Sequence, residues 1–92
     1  MSSFKTCAEA DQFFLDTMRG TKNYKKAVEE LYYWQTGGDS FSCMLFNLIA
    51  KADYWNKENI WRGFPYHILA FDDWQKSTDM GTELFKNHGL LK

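Results

Sequence analysis

The groups in this chain that could carry chemistry are two cysteines, two histidines and a few adjacent carboxylates. A cysteine nucleophile needs a base within hydrogen-bond reach, and Cys43 with His67 is the one pairing of suitable types. Nothing in the spacing brings them together. Cys43 also stands in a nearly all-apolar run, where a free thiol behaves as a small hydrophobe. His67 is expected to donate to a backbone carbonyl in the core, and His88, beside a glycine stop, to serve near a helix C-terminus. Neither Cys7 nor Cys43 belongs to a CxxC pair, so no zinc site is expected, and both suit reduced thiols better than a disulfide.

The remaining polar constellations are weaker still. Glu29-Glu30 and Asp72-Asp73 are sequence neighbours, about 100° apart on a helix, which is poor for sharing a proton or a metal ion. Gly37-Gly38-Asp39-Ser40 lacks the lysine and hydroxyl of a phosphate loop and has no strand leading in, so it reads as a turn. Lys22, Lys25 and Lys26 make a basic corner that could touch phosphate, with Glu29 and Glu30 a turn later. The chain carries a net charge of −1, without the basic excess of a nucleic-acid binder. A nucleic-acid-binding regulator using Lys22, Lys25 and Lys26 is therefore the alternative reading. No catalytic, cofactor or metal set is expected, and the chain does not read as an enzyme.

The elements that position these groups follow from composition and spacing. Ninety-two residues make one domain, and 45% hydrophobic with 18% aromatic content excludes disorder. No apolar run reaches the length of a membrane span, and the first residues lack the apolar segment of a signal peptide, so a cytoplasmic location is expected. The only proline is Pro65, no stretch alternates long enough for a strand, and the glycines fall where helices would stop. The expected fold is all-α: a single bundle of five or six short helices, residues 1–92, around a buried central helix at about 41–52.

That central run, FSCMLFNLIAKA, is apolar nearly all round and is expected to be enclosed by its neighbours. Its broad face holds Phe41, Met44, Leu45, Leu48, Ile49 and Ala52, with Asp39 or Ser40 as cap. The first helix is expected to open on a capping box, Thr6 with Glu9. It turns Cys7, Ala10, Phe14, Thr17 and Met18 inward, and Arg19 outward. The second begins at Asn23 and buries Tyr24, Ala27, Val28 and Leu31, leaving Tyr33 on the far side. The fourth is capped by Asp53, pairs Glu58 with Arg62 and places Tyr54 and Trp61 on one face. The fifth starts at Pro65 and faces inward through His67, Ala70, Phe71 and Trp74, with Leu69, Asp72 and Asp73 outward. A last short helix, capped by Asp79, uses Met80, Leu84 and Phe85, after which Leu90-Leu91 can fold back or fray.

Within residues 31–74, LFNLIAKAD, then Asn56, then GFP and an aromatic-rich helix resemble small proteins carried by bacteriophages and prophages. Tyr66 and His67 stand where that family has acidic residues. The resemblance runs through packing and capping positions over about half the chain. It implies a mobile-element accessory protein that works by occupying a host protein, as anti-CRISPR inhibitors do.

The leading expectation is a non-enzymatic protein-binding module that inhibits or adapts a host or phage protein, with a homodimer as a further alternative. More aromatic residues are present than a small core needs, and interfaces favour Tyr and Trp seated in pockets. The expected contact residues are Tyr33, Trp34, Trp55, Tyr66 and Leu69.

Overall fold

Apolar spacing and local capping chemistry divide the chain into helices joined by short turns. The computed structural model describes residues 12–91. Within them α1 (Gln12–Arg19), α2 (Lys22–Gln35), α3 (Phe41–Lys51), α4 (Tyr54–Gly63), α5 (Pro65–Lys76) and α6 (Thr82–Asn87) follow one another, with no strand among the described residues. The all-helical bundle expected from the sequence is what is found. The proposed capping box at Thr6 and Glu9, with Cys7 and Ala10, lies outside the described residues.

The longest helix, α2, has the clearest pattern and the most central place. Tyr24, Ala27, Val28 and Leu31 recur at helical spacing and all four are buried. This face packs chiefly on α5, and α2 also touches α1, α3 and α6. Its cap is Thr21 rather than Asn23: the Thr21 hydroxyl accepts from the Tyr24 amide at 3.2 Å. Ser40 caps α3 through the Cys43 amide at 3.3 Å, and Asp53 caps α4 through the Asn56 amide at 2.9 Å. Each cap satisfies an amide that the first helical turn leaves without an intrahelical acceptor.

The α3 helix forms as expected but is not enclosed. Cys43, Leu45, Phe46 and Ile49 are buried against α2 and α5, while Phe41, Met44 and Leu48 remain 70%, 69% and 56% exposed. The physical reason lies in α4, which packs along α5 instead of closing over α3. One flank of the most apolar helix therefore faces water.

The fifth helix departs from its expected faces for the opposite reason. Flanked by α2, α3 and α4, it buries four consecutive residues, Ile68, Leu69, Ala70 and Phe71. Leu69, expected outward, is 0% exposed. Asp73, also expected outward, receives Nε and Nη2 of Arg19 at 2.9 and 2.8 Å and the Tyr24 hydroxyl at 2.6 Å. This knot ties α1, α2 and α5 together.

At the chain's two ends the apolar phase also shifts. The α1 helix turns Leu15 and Met18 inward, whereas Phe13, Phe14 and Thr17 lie outside. The α6 helix follows Gly81 in the left-handed region at φ 82°, with the Asp79 carboxylate accepting from the Glu83 amide at 3.1 Å. Phe85 is buried, but Met80 is exposed rather than packed. Leu90 folds back, its amide donating to the Phe85 carbonyl at 2.9 Å.

Candidate functional site

Among the described residues, a polar knot beside a cavity and the open flank of α3 are candidate sites. The knot is built from three helices. Glu30 projects from α2, and its Oε1 accepts both the Ser42 hydroxyl of α3 and Nε2 of His67 from α5, each at 2.6 Å. Burial alone pushes the Glu30 carboxyl up. The hydrogen bonds from Ser42 and His67, with the charges of His67 and Lys26, outweigh it and hold the group below the usual carboxylate range. An ionised Glu30 accepts, so Nε2 of His67 carries the proton.

This arrangement brings together a hydroxyl, an imidazole and a carboxylate without making a nucleophile. In a catalytic triad the hydroxyl hands its proton to the imidazole, and the carboxylate orients the far ring nitrogen. Here Ser42 and His67 both donate to one carboxylate oxygen, so neither activates the other. Cys43 is buried and receives the Ser40 hydroxyl at 3.4 Å. No hydrogen bond joins it to His67 among the described residues. The cavity beside the knot, about 210 Å³, is bordered by Asn23, Lys26, Phe64 and Pro65 as well as Glu30 and His67. Of its polar groups, Glu30 and His67 serve the join between α2, α3 and α5.

The open flank has a different character. Phe41, Met44 and Leu48 stand at positions i, i+3 and i+7 of α3, one row along the helix. Phe64, from the turn into α5, meets Phe41 with ring centroids 6.1 Å apart. Leu48 also borders a shallow socket of about 190 Å³ with Lys51, Ala52, Asn56 and Ile60. Just past Lys51, Trp55 is 70% exposed and meets Tyr54 edge to face at 5.5 Å. A contiguous row of large apolar side chains is unlike the singly scattered ones normal on protein surfaces.

The expected contact residues fare unevenly. Trp55 and Tyr33 are exposed, and the Tyr33 ring covers Gly38, where an added Cβ would overlap it. Trp34 is half-buried, its ring among Phe46, Phe71 and Trp74 and its Nε1 donating to Asn47 Oδ1 at 2.9 Å. Tyr66 is also half-buried against the core, and Leu69 is inside it. Lys22, Lys25 and Lys26 are exposed along the first turns of α2, with Lys26 reaching toward the Glu30 cavity. Sequence reasoning missed Phe41, Met44 and Leu48 as surface residues. A signal was present: so short a chain has few elements with which to cover both sides of an apolar helix.

No protein-family model, curated protein or solved structure matches this chain. Among the described residues no group of three or more His, Cys, Asp or Glu could hold a metal ion, and no helix is long and apolar enough to cross a membrane.

Proposed function

We propose that this chain is a non-enzymatic protein-binding module, of the kind mobile elements carry to occupy a host protein, and that it works through the open flank of α3. The supporting observation is the exposure of Phe41, Met44 and Leu48 on a helix whose Cys43, Leu45, Phe46 and Ile49 are buried. Each large apolar side chain moved from water into a contact is worth roughly 1.5–3 kcal/mol, so such a row is a strong driver of association. Trp55 and Phe64 extend the patch with rings of the type that anchor interfaces. The Glu30 knot offers no competing chemistry, since both of its donors are spent on one carboxylate oxygen.

The test is capture from bacterial lysate on immobilised protein, comparing the natural chain with Met44→Ser/Leu48→Ser. A host protein retained by the first and released by the second supports the reading. Equal retention by both, or retention of nothing, contradicts it.

A further inference from the structure

The apolar row on α3 is bracketed by opposite charges. Asp39 precedes the cap at the helix start, and Lys51 closes the helix end. Both side chains are exposed, and neither has a hydrogen bond or ion pair among the described residues. Between them Phe41, Met44 and Leu48 occupy a helix about 16 Å long at 1.5 Å per residue. The row therefore runs from an acidic end to a basic end with only apolar groups between.

We infer that in the free protein this flank is closed by a second copy of the same chain, the two α3 helices lying antiparallel across a two-fold axis near Met44. This rests on reading the flank as a contact surface, and it names the occupant. One axis satisfies every position of the row at once. Asp39 of each copy comes beside Lys51 of the other, Phe41 beside Leu48, and Met44 beside Met44. A surface that meets itself across a two-fold must be complementary to its own reverse, and a row with opposite charges at its ends meets that condition. A parallel pairing would set Asp39 against Asp39 and Lys51 against Lys51, and like charges across an interface are costly. Antiparallel packing also brings the positive N-terminal end of each helix dipole to the negative end of the other. A host protein that uses this flank then competes with the second copy for it.

Sedimentation equilibrium over a concentration series tests this on the full chain. The set is the natural protein, Asp39→Lys, Lys51→Asp, the double reversal Asp39→Lys/Lys51→Asp, and Met44→Ser/Leu48→Ser, each checked for folding by circular dichroism. The natural chain is expected at the mass of two copies. Either single reversal places like charges together twice and weakens association about tenfold or more, and the double reversal restores it. Met44→Ser/Leu48→Ser is expected as a folded monomer. A natural chain that stays monomeric overturns the inference, as does a dimer indifferent to the single reversals or a double reversal no better than the singles. A monomer that still retains a host protein through Met44 and Leu48 removes the dimer alone. A dimer that follows the charge swap, while the serine variant retains the same host protein, removes the host-docking surface alone.

Discussion

Arg19 at the end of α1 closes on Asp73 of α5 with two parallel hydrogen bonds of 2.9 and 2.8 Å, across 54 positions of sequence. The Tyr24 hydroxyl joins them at 2.6 Å on the carboxylate oxygen that takes Nε. Hydrogen bonds to a charged, part-buried acceptor contribute more than neutral ones, about 1.5–3 kcal/mol each. Asp73→Ala leaves Arg19 and Tyr24 without this partner and is expected to cost about 2–3 kcal/mol in urea unfolding.

The same knot sets an alkaline dependence. Burial first, then donation to Asp73, pushes the Tyr24 phenol above its usual value. A folded value raised above the unfolded one gives stability that is present below about pH 10 and lost as pH rises beyond it. Tyr24→Phe is expected to be less stable than the natural chain at neutral pH. Between about pH 9 and pH 11 it should lose less, because no phenol remains to ionise on unfolding. Unfolding midpoints in that range read the difference.

Glu30 sets the acid limb. Its folded value is depressed because the donors Ser42 and His67 and the nearby Lys26 outweigh burial. Its stabilisation is therefore present above about pH 4.3 and lost as pH falls through the lower folded value. Glu30→Gln removes this titration, so its urea midpoint should change less than that of the natural chain as pH falls below about 4.3.

Two glycines make a contrast that the packing explains. A Cβ at Gly81 would overlap the Trp74 ring, which packs on Trp34 and Phe71 and donates to the Met80 carbonyl at 3.1 Å. Gly81 also has φ 82°, where a side chain is strained. At Gly38 the overlapping group is the half-exposed Tyr33 ring, which can swing into solvent. Gly81→Ala is expected to cost about 2 kcal/mol or more, and Gly38→Ala under about 1 kcal/mol. Thermal unfolding of the two variants checks the order.

How much of this was legible in the sequence depends on which forces were local. The α2 face could be read because Tyr24, Ala27, Val28 and Leu31 alternate with lysines and glutamates, and Asp53 and the alternatives Asp39 or Ser40 announced the helix starts beside them. The α3 face could not: when nearly every position is apolar, periodicity does not choose a side. The choice was made by α4, which lies along α5. A single apolar face does not place Leu69, because α5 is flanked by three other helices. Asp73 looked solvated because its partner is far away in sequence, and Glu30 and His67 met only once α2 and α5 were packed. A ring that looks surplus in sequence, such as Trp34, can also be claimed in part by the core.

On the proposed function, the Phe41–Met44–Leu48 row belongs to an interface and not to the core of the monomer. The most direct measurement is the unfolding free energy of Met44→Ser/Leu48→Ser in solution dilute enough to keep the chain monomeric, beside Phe46→Ala on the same helix. Phe46 is fully buried, and its truncation is expected to cost about 3–5 kcal/mol. The double serine variant should stay within about 1 kcal/mol of the natural chain, as exposed positions do. A loss from the serine variant as large as that from Phe46→Ala would contradict the account, because the row would then be part of what holds the monomer together.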